Sequence, residues 1–88
     1  MSTTIEYTDS SRRQLRKLDK RAARRILDYM DKRIAPLEDP RSMGKALRGP
    51  LGDFWRYRVG EYRIICEIDD RALRVLVVRV GDRKDVYC

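Results

Sequence analysis

The sequence predicts an α+β domain: an N-terminal strand, a helical hairpin, then a three-stranded antiparallel sheet with a short C-terminal tail, in the order β-α-α-β-β-β. Two periodicities and the break between them predict it. Leu15, Leu18, Ala22, Ala23, Ile26, Leu27, Met30 and Ile34 recur at three- and four-residue spacing, an apolar helical stripe. From Leu51 onward the period falls to two, in segments rich in Val, Ile, Tyr and Trp. Between them, residues 36–50 hold all three prolines, and Pro and Gly punctuate regular structure, so this stretch reads as a connecting loop.

Each element follows from local chemistry. Residues 3–7 are β-leaning and short, suited to an edge strand. Thr8 or Asp9 then offers a short oxygen-bearing side chain to cap a helix N-terminus. The apolar stripe is long for one helix, and Asp19 provides a second cap, so helices are expected over residues 9–18 and 20–35, closed by Pro36. Strands are expected over residues 53–59, 62–69 and 73–80. Gly60-Glu61 fits a two-residue hairpin turn whose first position takes positive φ, and residues 69–72 make the next turn. The run Val75 to Val80 is nearly all apolar, as in a strand covered on both faces. Residues 81–88 form the tail. Eighty-eight residues leave no room for a second domain, so residues 1–88 are expected to fold as one.

Composition narrows the function. Lys plus Arg number 21 against 14 Asp plus Glu, a net charge of +7, which favours polyanions or an acidic protein partner. No apolar run approaches the roughly 18 residues of a membrane-spanning helix, and no signal-peptide core follows the start Met. The cytoplasm is the expected compartment, and a disulfide between Cys66 and Cys88 is not expected there. The chain contains no histidine, so a Ser-His triad is excluded and acid–base chemistry falls to other groups. No metal or other cofactor is expected.

Alternation sorts the strand side chains. Phe54, Arg56 and Arg58 share one face; Trp55, Tyr57 and Val59 take the other, with Trp55 and Tyr57 expected in the core. A two-residue turn sets Val59 opposite Tyr62, which places Arg58 opposite Arg63 on one face. Like charges so opposed are destabilising, and a sheet tolerates them more readily when they bind an anion. Arginines on a solvated sheet face are also ordinary, and Glu67, Asp82 and Asp85 stand near enough in sequence to neutralise part of the cluster. Arg83, Lys84 and Tyr87 reach the same face if the tail folds back. The basic helical residues between Arg12 and Arg25 read as a solvated surface that adds electrostatic steering.

Three segments in order, Lys45-Ala46-Leu47-Arg48-Gly49, then residues 55–65 (WRYRVGEYRII), then Val77 to Arg83 with Asp85-Val86-Tyr87, closely resemble the RelE branch of the RelE/ParE toxin superfamily. The resemblance covers nearly the whole chain. It implies the toxin of a type II toxin–antitoxin system: a metal-independent, ribosome-dependent endoribonuclease that cuts messenger RNA in the A site and so inhibits translation. It also implies a cognate antitoxin that blocks activity and contacts operator DNA only as the complex. By resemblance, Arg58, Arg63, Arg83 and Tyr87 are the catalytic residues. Arg63 stabilises charge on the phosphate, Arg83 protonates the leaving oxygen and Tyr87 stacks on the substrate. Arg56, Lys45, Arg48 and Lys84 bind RNA.

The chain departs from the family pattern at two places. The best-known members carry lysines at the positions of Arg56 and Arg58, the second being the proposed base, and arginine with a pKa above about 12 is a poor base. Many relatives carry histidine where this chain has Asp82. Two alternatives therefore stand beside the nuclease: a ParE-type inhibitor of DNA gyrase on the same fold, and a non-catalytic RNA- or DNA-binding regulator.

Overall fold

The computed structural model describes residues 3–47 and 54–82. Strand β1 (Thr4–Tyr7) leads to helix α1 (Asp9–Lys17) and helix α2 (Lys20–Tyr29). Both caps are those the sequence offers. The Ser11 N–H donates to Thr8 Oγ1 (3.1 Å), and the Ala22 N–H donates to Asp19 Oδ1 (2.8 Å), each satisfying a donor that has no partner within the helix. After Tyr29 the helix widens into one π turn, Met30–Ile34, with the Ala35 N–H donating to the Met30 carbonyl. The helical stretch therefore ends where the sequence places its end, in looser geometry. Neither helix is long and apolar enough to cross a membrane.

The chain then builds β2 (Lys45–Leu47), β3 (Phe54–Val59), β4 (Tyr62–Asp69) and β5 (Arg74–Asp82). The five strands form one sheet in the order β1-β5-β4-β3-β2, with β1 parallel to β5 and the other pairs antiparallel. Both helices lie on one face. Their apolar stripe (Leu15, Ile26, Met30, Ile34) meets Tyr57, Val59, Ile64, Cys66, Val75, Val77 and Val80, and this is the core. Tyr57 is fully buried and Trp55 packs against the cluster, as alternation requires.

The loop expected over residues 36–50 contains a strand. Lys45, Ala46 and Leu47 pair with Arg56, Trp55 and Phe54. Little in Lys-Ala-Leu favours β structure; tertiary contacts impose it. The indole N–H of Trp55 donates to the Met43 carbonyl and the Tyr57 hydroxyl donates to the Pro40 carbonyl, both at 2.6 Å, which ties the loop to β3. Gly44 turns the chain at φ +79°, and a Cβ there would strike the Arg56 carbonyl and the Trp55 ring.

Strand β5 brings two further corrections. It runs through Gly81 and Asp82, which the sequence reading gave to the tail. It is also not covered on both faces: Val78 is half-buried and Arg79 exposed. The register against β4 shifts between Ile65 and Cys66, so Ile65 faces Arg79 while Cys66 faces Val77. This bulge inserts one residue and reverses the alternation beyond it. Counted from Val75 and Val77, strict alternation would bury Arg79. The bulge turns Arg79 outward and buries Val80. Beyond the end of β1, Gln14 from α1 accepts from the Val80 N–H (2.7 Å) and satisfies an edge donor.

Two outcomes follow for stability. Gly44→Ala combines a left-handed backbone with a clash and is expected to cost about 2–4 kcal/mol in denaturant unfolding. Burial holds the Cys66 thiol and the Tyr57 phenol neutral well above their ordinary values, and burial foremost, with Cys66 and Asp31 nearby, pushes Tyr7 up to about 12. In the unfolded chain these groups ionise at their ordinary values, 9.0 for Cys and 10.0 for Tyr. Their contribution is therefore complete at neutral pH and is lost as pH rises above about 9. Thermal melts from pH 7 to 11 should show the midpoint falling on the alkaline side, less so in Cys66→Ala than in the parent.

Candidate functional site

The face of the sheet opposite the helices is organised in transverse rows set by strand register. Along each strand the rows repeat every two residues, about 7 Å. The first row holds Arg58 and Arg63, directly opposed, with Gly81 on β5. The second holds Lys45, Arg56, Ile65 and Arg79. The third holds Leu47 and Phe54, then Glu67 and Leu76, then Glu6 on β1. The fourth joins Asp69, Arg74 and Thr4.

Charge is sorted along this axis. In the fourth row and its turn the charges are paired: Arg74 reaches Glu6 at 3.4 Å and Asp69 at 3.7 Å, and Arg41 reaches Asp70 at 2.6 Å. At the other end, among the described residues, no acidic side chain forms an ion pair with Lys45, Arg58, Arg63 or Arg79. The Arg58 side chain is exposed and its Nε donates to the Gly60 carbonyl at 3.2 Å, which holds the guanidinium beside the hairpin turn.

Arg63 is the unusual member. The residue is 7% exposed, and its Nε and one Nη are buried without a hydrogen-bond partner among the described residues. Charged donors left this way normally cost several kcal/mol, and most buried polar groups are paired for that reason. Arg63 also faces Arg58 across the ladder. The two arginines are register partners, Arg58 exposed beside the turn and Arg63 buried. A phosphate offers the acceptors that the buried Arg63 donors do not find among the described residues, in the forked geometry guanidinium favours.

Arg79 belongs to this face and was not among the candidates read from the sequence. The signal was the lone charge in the apolar run Val75 to Val80; its side of the sheet was hidden because the bulge decides it. A concavity of about 520 Å³ is lined by Asp19, Lys20, Arg21, Ala22, Arg25 and Tyr62. Its three cations are exposed.

A family described as "ParE toxin of type II toxin-antitoxin system, parDE" matches residues 5–87. The chain belongs to the RelE/ParE toxin family. Toxin RelG of Mycobacterium tuberculosis is 32% identical over 87 residues, covering 99% of this chain and 98% of the relative. Toxin RelE of the same organism is 29% identical, covering 94% and 84%. Among solved structures, a chain of the M. tuberculosis toxin–antitoxin complex RelBE2 superposes with TM-score 0.85 at 30% identity, covering 94% of this chain and all of that one. The isolated E. coli RelE toxin superposes with TM-score 0.71 at 18% identity, covering 98% and 92%, a likeness of fold. This chain is thus a type II toxin with a RelE-like fold.

Of the site residues that the RelE resemblance selects, the fold brings Lys45, Arg56, Arg58 and Arg63 onto one face in adjacent rows, and adds Arg79. Arg48, Arg83, Lys84 and Tyr87 lie outside the described residues. If Arg63 is held against its own desolvation for an anion, removing it should stabilise the toxin. Arg63→Met is expected to raise stability by about 1–2 kcal/mol, since apolar replacements of buried charges are often stabilising. Sulfate should raise the parent's melting temperature and not the variant's; a destabilised variant would show instead that Arg63 serves the fold.

Proposed function

We propose that this toxin is an endoribonuclease that cleaves messenger RNA in the ribosomal A site, acting in the cytoplasm as a single domain, without a metal ion. The observation that carries the proposal is the buried guanidinium of Arg63, with donors unfilled among the described residues, beside Arg58 and next to the row of Lys45, Arg56 and Arg79. Family membership and the Rel names of the curated relatives support it. The reaction is attack of a ribose 2′-oxygen on the adjacent phosphorus. The O2′–P bond forms, the P–O5′ bond breaks, the 2′-hydroxyl proton departs and the 5′-oxygen gains one. The products are a 2′,3′-cyclic phosphate and a free 5′-OH.

In this reading Lys45, Arg48, Arg56 and Lys84 hold the RNA backbone. Arg58 and Arg63 flank the phosphate and offset the charge that builds on its oxygens, the term that preorganised donors supply best. Arg83 delivers the proton to the 5′-oxygen and Tyr87 stacks on a base to align the 2′-oxygen with the scissile bond. A guanidinium is a poor general base, so in this reading the face works by charge stabilisation and alignment more than by base catalysis. The cationic face is also the surface an acidic antitoxin would cover, and solved relatives are crystallised as RelB–RelE complexes. Operator DNA is contacted only through such a complex.

The family description names ParE, so the same assay carries a gyrase arm. Protein added to a programmed translation reaction is expected to produce new messenger 5′ ends inside A-site codons, mapped by primer extension. Arg63→Met should lower the cleavage rate about 100-fold, the scale on which one oxyanion donor acts. Intact messenger together with inhibited supercoiling by gyrase would replace the nuclease with the ParE-type activity.

A further inference from the structure

The third row of the open face differs from the cationic rows above it. Trp55 opposite Cys66 sets Phe54 opposite Glu67, and Glu67 in turn faces Leu76. These side chains floor a concavity of about 610 Å³, rimmed by Ile68, Asp69, Asp70, Arg71 and Arg74. The rim acids are engaged, although the Arg74 Nε is buried without a partner among the described residues. Asp69 pairs with Arg74 and also accepts from the Arg71 and Ala72 N–H groups, and Asp70 pairs with Arg41. Glu67 is different: it is exposed, lies between Phe54 and Leu76, and its carboxylate forms no ion pair or hydrogen bond with any described residue.

An aromatic ring, an aliphatic side chain and a free carboxylate on one floor make a defined chemical request. The ring and the aliphatic group offer a stacking platform. The carboxylate, which only accepts, asks for two adjacent N–H donors. A cationic peptide could supply such donors, but Lys45, Arg56 and Arg79 stand one row away and repel it. The ligand that suits the whole face is polyanionic and carries a flat group with paired donors. Among nucleobases, guanine presents N1–H and N2–H side by side, while adenine and uracil offer no such pair. The row spacing of about 7 Å places the concavity within reach of a nucleotide whose phosphate is held by Arg56.

We infer that the concavity formed by Phe54, Glu67 and Leu76 is a guanine-reading subsite, with the base stacked on Phe54 and its N1–H and N2–H donated to the Glu67 carboxylate. The inference rests on the proposal that RNA lies along the cationic face. It gives the toxin a sequence preference written in its own side chains, at a position next to the phosphate-binding rows.

The test is binding of short single-stranded oligoribonucleotides to the full chain by fluorescence anisotropy, at one fixed salt concentration. The oligonucleotides contain one guanine, or inosine or adenine in its place. Inosine keeps N1–H and lacks the N2 amino group. Guanine is expected to bind about five- to tenfold more tightly than inosine, the low end for a bidentate base contact because Glu67 is exposed. Glu67→Gln should abolish that difference while leaving adenine binding nearly unchanged. Phe54→Ala should weaken guanine and inosine alike, with circular dichroism melts confirming that both variants fold. Binding that is equal for all three bases overturns the subsite and leaves the RNA reading intact. Absence of RNA binding, lost together with any effect of Arg63→Met, overturns both. If Glu67→Gln weakens binding of an antitoxin peptide and leaves the base preference unaltered, the concavity is a protein-docking surface and the inference fails.

Discussion

The two-residue turn at Gly60 and Glu61 sets the register of β3 against β4, and that register decides what every side chain on both strands does. Gly60 takes φ +59°, a conformation open to glycine without steric cost. Val59 then faces Tyr62, and alternation carries the consequence outward. Tyr57 and Ile64 meet on the helical side and join the core, while Arg58 and Arg63 are paired on the open side and begin its cationic rows. A slip of one residue would exchange the two sets, placing arginines against Ile26 and Met30 and tyrosine in solvent. The hydrophobic core and the candidate site are thus two readings of one constraint, and the core supplies the free energy that holds the arginines together.

The opposition of Arg58 and Arg63 is unfavourable in the free protein, and Arg63 adds the cost of buried, unfilled donors. A chain of this size has little stability to spare. Such a feature fits a partner that arrives from outside, the part that the phosphate of the proposed RNA substrate would play. Glu6 of the third row and Asp69 of the fourth pair with Arg74, and Asp70 in the neighbouring turn pairs with Arg41. The Glu67 carboxylate, between the two regions, has no partner among the described residues. The change from a cation-rich end to the ion pairs of Arg74 and Arg41 gives the face a polarity that the proposed RNA strand would meet.

Backbone groups outside the ladders are satisfied by side chains from other elements. Where β5 outruns β1, Gln14 accepts from Val80, and where the loop meets β3, Trp55 and Tyr57 donate to Met43 and Pro40. These contacts explain how a short sheet extends to five strands. They also join α1 to the part of β5 that carries Arg79, so the position of that cation depends on a helix on the opposite face.

By itself the sequence determined the helical hairpin with both caps, the β3–β4 turn and the pairing of Arg58 with Arg63, because these follow from local chemistry and a period counted over a few residues. It also contained, in the ordered segments ending at Tyr87, the resemblance that led to the toxin family. The strand at Lys45–Leu47 was not legible, since its residues favour no strand and aromatic side chains elsewhere impose it. The outward turn of Arg79 was not legible either, because one inserted residue in β5 reverses alternation without any mark in composition. Nor could a sequence show that Arg63 is dry while Arg58 is wet: both are arginines on alternate positions. Only the tertiary structure decided these, because burial and register shifts arise from contacts between segments far apart in the chain.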